Sequence, residues 1–523
     1  MSRRPAAMVA AGIFLSRILG LVRQRAFAHY LGNSAVADAF TAAFRIPNLL
    51  QNLFGEGALS ASFIPVYAGL LAEEDTAEAD RVAGAVGALL ALVVSVIVVV
   101  GVLTAPVLVT IIAPGFSGEK RDLTILLVRI LFPGAGLLVV SAWCLGVLNS
   151  HRHFFLSYAA PVAWNLAIIG TLLTLGSRRT MAELAVAAAW ASVAGSLLQV
   201  LVQWPTVRRL APGVRLHLVT TAANVRAVLT NFVPAFVGRG VVQVSAFIDS
   251  LLATLLPTGA VAAMGYAQTI YLMPVSLFGM AVSAAELPAM SGARGTPEEV
   301  SAFLRARLDG GLRQVAFLVV PSAMAFLALG QVIVSALYQT GEFGRHDSMY
   351  VWGILAGSAV GLLASTMGRL YASAFYALRD TRTPLRFAVL RVVLTGAFGW
   401  FAALRLPGLL VIGPEWGAAG LTASAGIAGW LEFVLLRRTL GARIGATGLP
   451  AGLLPRLWLA AGASAAAGWL LLVYLPPFSA VPMAVLVLGC YGVVYFLAAR
   501  ALGIPEARTV LERLLRRGAG GTR

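Results

Sequence analysis

Six charged side chains crowd one otherwise apolar stretch near the N-terminus. SRILGLVRQRAFAHYLGNSAVADAFTAAFRIPNLLQNLFGEGALSASFIP, residues 16–65, carries Arg17, Arg23, Arg25, Asp38, Arg45 and Glu56. A charge at bilayer depth costs about 3 kcal/mol or more, so ionisable residues there mark a substrate or ion path by default. Arg45 follows Asp38 by seven positions and Glu56 follows Arg45 by eleven, which places the three on one stripe of a helix. From Asp38 to Glu56 such a helix rises about 27 Å, nearly the hydrocarbon thickness. One helix face then lines a polar path across the membrane. The alternative is a set of end-of-helix charges whose long side chains reach back to the interface.

A second polar set lies further along. Arg239, Gln243 and Asp249 share one apolar run, Gln268 and Glu286 the next, and Arg369 and Glu432 two later ones. Arg239 and Gln243 are four apart and share a helix face. Asp249 and Glu286 also admit a plainer reading, in which each pairs with an arginine to hold helices together.

These residues need elements to position them, and composition says which. Of 523 residues, 59% are hydrophobic and only 12% charged, half the charged fraction of a soluble chain. The expected fold is therefore an all-α polytopic integral membrane protein. Hydrophobic windows predict fourteen spans between residues 5 and 501, among them 5–31, 36–70, 222–256 and 259–291. The net charge of +17 points to no nucleic acid, because the arginines gather in alternate loops. Arg208, Arg209, Arg215, Arg379, Arg382, Arg386, Arg437 and Arg438 fall on the side that also holds the termini. That asymmetry predicts cytoplasmic termini.

The chain also repeats. LGNSAVADAF at 31–40 matches LPTGAVAAMG at 256–265, and FGEGALSASFIP at 54–65 matches FGMAVSAAELP at 278–288. The offset of about 224 residues puts both copies in the same orientation, a plan that recurs among transporters.

Other chemistry is missing. Lys120 is the sole lysine and lies in GFSGEKRD, so neither a Walker A site nor a Schiff base is available. His151 and His153, in NSHRHFF, read as interfacial anchors and not as metal ligands. Cys144 and Cys490 lie far apart in apolar runs without metal-ligand spacing. No enzyme, metal site or cofactor is expected.

SRILGLVRQRAFAHYLG, ADAFTAAFRIPNLLQNLFGEGALSASFIPVYAGLL, LYQTGEFGRHDS and FYALRDTRTP resemble the MurJ (MviN) family of bacterial lipid II flippases, within the MOP exporter superfamily. The resemblance implies two pseudo-symmetric six-helix bundles, at 1–208 and 222–441, around a cationic cavity. It implies two further helices at 452–501 that form a groove for the lipid tail, and a basic cytoplasmic tail at 502–523. By motif, Arg17 and Arg23 match the family's essential arginines of the first span. Asp38 matches its acidic residue early in the second, Glu56 the acidic residue of its AEGA-like motif, and Arg369 a basic position of the tenth span. An anionic diphosphate headgroup suits guanidinium groups, which bind phosphate through a bidentate fork.

Two positions depart from the family pattern. Gln51, followed by Asn52, stands where an arginine is usual, and YAQTI, with Gln268 and Thr269, stands in place of YADRL. Arg45, ahead of Arg239, is the expected source of replacement charge; the rival is that Arg45 only neutralises Asp38 and Glu56. Gln51, Asn52, Arg239, Asp249, Gln268 and Glu286 complete the expected site as secondary cavity positions.

The resulting expectation is a flippase of the inner membrane. It carries a polyprenyl-diphosphate-linked peptidoglycan precursor outward by alternating access, with the bilayer and cell-wall synthesis proteins as its other partners. The rivals are a non-transporting scaffold for envelope assembly and an ion-coupled exporter of small amphipathic cations. Cation export favours exposed carboxylates, and Arg17 with Arg23 argues against it.

Overall fold

The computed structural model describes residues 3–54, 56–218, 222–476 and 479–507, apart from the side chains of 3–11, 13, 47, 56, 57, 235 and 237–246. Among these residues all regular structure is helical apart from one isolated bridge between Thr340 and Phe343. Twelve helical stretches are long and apolar enough to cross a membrane, from Ala35–Ala72 to Ala480–Ala501. The other two expected spans, 5–31 and 222–256, fall on helices Arg3–Leu31 and Ala223–Thr254, of 29 and 32 residues. Both exceed the length a bilayer needs, and both carry arginines within their apolar runs.

The chain divides into two compact units, Met1–Ala262 with Thr340–Phe343, and Ala263–Gln339 with Gly344–Arg523. In the first unit, loop contacts sort the helix ends into two sets. At one end Gly213 N–H donates to Asp80 Oδ2 at 2.8 Å and Asn224 Nδ2 donates to Glu78 Oε1 at 3.2 Å. At the other, Gly115 N–H reaches Thr254 Oγ1 at 3.4 Å. Ala223–Thr254 therefore runs between the same two ends as Thr76–Leu103 with Ala105–Ile112, and in the same sense.

The span expected over 36–70 falls on the stretch Ala35–Ala72, described as Ala35–Phe54 and Glu56–Ala72 on either side of residue 55. Asp38 and Arg45 share Ala35–Phe54.

Starts of helices follow local chemistry. Thr180 Oγ1 accepts from Glu183 N–H at 3.3 Å while Glu183 Oε2 accepts from Thr180 N–H at 3.1 Å. Thr296 and Glu299 repeat the exchange at 3.3 and 2.9 Å. Each reciprocal pair satisfies two N–H groups that the first turn leaves open. Inside the spans, hydroxyls turn back on their own helix, as Ser62 does to the Ala58 carbonyl at 2.7 Å. In an apolar solvent that is the cheapest acceptor within reach.

The second unit shows how a proline in a span is accommodated. Pro321 lies inside Pro297–Ala328, and its missing N–H leaves the Phe317 carbonyl, four residues back, without a helical donor. Tyr495 Oη supplies that donor at 2.7 Å, and Tyr491 Oη donates to the Pro321 carbonyl at 2.7 Å. Both tyrosines belong to Ala480–Ala501. With Ala325, Leu329, Ala465 and Val487, Tyr491 forms a buried cluster, so the pair Leu453–Tyr474 and Ala480–Ala501 is fastened to this helix by packing and by two hydrogen bonds.

Candidate functional site

The sequence repeat meets itself at Asp38. In the first copy Ser34 Oγ accepts from Ala37 N–H at 3.2 Å, an ordinary N-cap. The matching position of the second copy is Gly259, which has no side chain to do this. Asp38 of the first copy does it instead. Its Oδ1 accepts from Ala262 N–H at 2.8 Å and its Oδ2 from Gly259 N–H at 2.7 Å. Serine at 259 is excluded, because φ is +96° and a Cβ would sit 2.6 Å from the Asn33 carbonyl. Lys120 Nζ completes the carboxylate's set at 2.5 Å, itself resting 4.1 Å from the centre of the Phe116 ring. Asp38 is 1% exposed. Its oxygens serve the helix start and Lys120.

Arg23 is different. Its guanidinium lies 4.6 Å from the Trp164 ring centre and 5.6 Å from that of Phe44. Phe44 and Trp164 stack on each other at 5.6 Å, and Phe40 continues the column at 5.6 Å from Phe44. Trp164 Nε1 donates to the Ser192 carbonyl and to Ser192 Oγ, both at 3.1 Å, which fixes the indole plane. Gly195 lets that tryptophan close on Met181–Leu210, since a Cβ there would stand 3.0 Å from Trp164 Cα. Arg23 Nε and Nη1 are buried and have no hydrogen-bond acceptor among the described residues. Two in-plane donors of a cation thus lie buried and unmatched, an arrangement that costs free energy unless an acceptor arrives.

Arg45 is half-buried, and the carboxylate that acts on it is Asp249. The acidic neighbours expected on its own stripe were Asp38 and Glu56. Asp38 is already occupied by Lys120, and the Glu56 side chain lies outside the described residues. Arg17 is exposed on the helix that carries Arg23, Gln51 is half-buried and Asn52 exposed. The side chains of Arg239 and Gln243 also lie outside the described residues.

In the second unit Gln268 and Arg369 are exposed, and Arg307 Nε lies 2.8 Å from Glu286 Oε2. Arg391 pairs with Glu432 at 3.1 Å. The plainer reading of Glu286, as an arginine's partner between helices, is what the geometry gives. Two sequence motifs also prove to be turns. In FYALRDTRTP, Asp380 Oδ2 accepts from Thr383 Oγ1 at 2.7 Å, its Oδ1 from Thr383 and Arg382 N–H at 3.0 Å each, and Arg443 pairs with it at 2.7 Å. The Thr383 hydroxyl first, then the Thr383 amide and Arg443, hold this carboxyl at about 2. In LYQTGEFGRHDS, Thr340 Oγ1 lies 2.8 Å from His29 Nδ1, and Glu342 N–H donates to the His29 carbonyl at 2.9 Å.

Trp164, Phe44, Ser192 and Lys120 are absent from the sequence-derived set. Lys120 reads as an isolated loop charge, and nothing local ties it to a carboxylate 82 positions earlier. For Trp164 the sequence offers one signal: an indole N–H inside an apolar span must find a partner, so its ring is held in place.

Residues 27–502 match the family described as lipid II flippase MurJ. The chain is 30% identical to a probable lipid II flippase MurJ of Rhizobium meliloti, over 97% of this chain and 95% of that protein. It is 32% identical to the lipid II flippase MurJ of Burkholderia cenocepacia, over 81% and 80%. Among solved structures, a lipid II flippase MurJ in an inward closed conformation matches with a TM-score of 0.77 at 22% identity, covering 95% of this chain and 99% of the other. An inward-facing multidrug resistance MATE transporter of the MOP superfamily matches at 0.67 and 18% identity, covering 82% and 95%. The family match, the full-length relatives and the shared helical architecture agree: this chain belongs to the lipid II flippase MurJ family.

Proposed function

We propose that this chain moves lipid II across the inner membrane, with Arg23 as a ligand of the diphosphate that links polyprenol to the headgroup. Buried Arg23 Nε and Nη1, without an acceptor among the described residues, carry this assignment. They are in-plane donors of a planar cation, a group suited to phosphate oxygens. Arg17, six residues earlier on the same helix, is the second proposed ligand.

The helices Leu453–Tyr474 and Ala480–Ala501 are proposed as the seat of the polyprenyl tail. Their outer faces support this, with Leu459, Trp469, Leu470, Val485 and Leu497 each at least half exposed. The arginine asymmetry supports cytoplasmic termini. Cysteines at Ser117 and Thr258 should then label from outside the cell, and protection of both would reject the orientation.

The test of function is complementation in a strain depleted of its own flippase. The wild-type chain should restore growth, and Arg23→Ala should fail at unchanged membrane abundance. Arg23→Lys should restore growth poorly, since an ammonium offers no planar fork. A scaffold would complement equally well with Arg23→Ala.

A further inference from the structure

We infer that Trp164 is a positioning residue for Arg23: it holds the guanidinium in the apolar interior without neutralising it and leaves the in-plane donors open to a diphosphate. The inference rests on the reading of Arg23 as a diphosphate ligand.

A buried arginine needs compensation, and there are two ways to supply it. A carboxylate does so by cancelling the charge and occupying the donors, and it then competes with any phosphate. A ring face does so from above the plane, through the quadrupole, and touches none of the in-plane N–H groups. Arg45 has a carboxylate, Asp249, acting on it electrostatically. Arg23 uses the second, with Trp164 at 4.6 Å and Phe44 at 5.6 Å.

The support behind the ring is rigid. Ser192 holds the indole N–H through two acceptors, and Phe44, itself stacked with Phe40, packs against both the indole and the guanidinium. Held against these rings, the cation leaves Nε and Nη1 buried and unmatched among the described residues. This matters more here than in a site with several arginines, because Gln51 and Thr269 supply no charge.

The test uses the full chain in detergent with geranylgeranyl diphosphate as the probe, binding read by calorimetry and by tryptophan emission. Trp164→Leu should weaken binding about tenfold, and Trp164→Phe, which keeps a ring face, should stay within about threefold. The ligand-induced change in emission should vanish in Trp164→Phe although calorimetry still reports binding. The other nine of the ten tryptophans then serve as the unchanging background. Wild-type affinity in Trp164→Leu, alongside lost binding in Arg23→Ala, overturns the positioning role and leaves Arg23 a ligand. Wild-type affinity in Arg23→Ala overturns both. Should Trp164→Leu fail to accumulate, the emission experiment decides alone: an equal change in wild type and Trp164→Phe overturns the inference.

Discussion

Replacing Asp38 with alanine removes the acceptor of three donors at once: Lys120 Nζ, Gly259 N–H and Ala262 N–H. Breaking a buried ion pair by deleting one partner costs about 3–5 kcal/mol. Lys120 keeps 16% of its side chain exposed and retains the Phe116 ring, which favours the lower end. Losing the cap of a helix start adds about 1 kcal/mol. The sum, about 4 kcal/mol, corresponds to a fall of about 10 °C in unfolding temperature for a unit of this size.

Thermal unfolding in detergent at one fixed scan rate measures the fall, and hydrogen exchange at 259–266 locates it. Lys120→Met leaves Asp38 its two backbone donors and should cost less. The double variant should recover about 2 kcal/mol of the summed single effects, as residues sharing one network do. Gly259→Ser should not rescue Asp38→Ala, because the backbone there does not admit a side chain. An unfolding temperature within about 2 °C of wild type, with unchanged exchange and lost transport, would refute the argument. Asp38 would then be a substrate ligand and not a cap.

Three further outcomes follow from the same geometry. Arg45→Ala should lower membrane abundance by exposing Asp249 to an uncompensated burial, Asp249→Ala in the same chain should restore it, and Gln51→Arg should not; western blots of membrane fractions decide. Tyr495→Phe should destabilise by about 1–3 kcal/mol by orphaning the Phe317 carbonyl, and Pro321→Ala should suppress the loss by returning a helical N–H to that carbonyl. Asp380 is held at about 2, below the usual carboxylate value of about 4. Its contribution to stability is therefore complete above about pH 4 and lost as pH falls through about 2. Asp380→Asn should flatten the acid limb of stability over that window.

What could be read from the sequence was local or periodic. The threonines and glutamates of TMAE and TPEE announce their helix starts, and apolar runs announce the spans. The repeat shows which positions correspond, Gly259 with Ser34, but not that Asp38 caps the second copy. What could not be read was pairing across spans. Periodicity states which residues share a face, but not which foreign side chain that face meets. On that ground Asp38, Arg45 and Glu56 looked like one ensemble, while Lys120 and Asp249, which act on the first two, stood in other segments.

The assignment of charge is where the sequence-based argument and the geometry part most sharply. Counting arginines, Arg45 appears to replace the charge missing at Gln51. That count is incomplete, because Asp249 acts on Arg45 and a nearby carboxylate reduces the net positive potential offered to an anion. Effective charge depends on how each cation is compensated. Arg23 lies against two ring faces, and Arg45 lies in the field of Asp249. A guanidinium compensated by ring faces keeps its in-plane N–H groups for an arriving anion, whereas a carboxylate partner takes part of them.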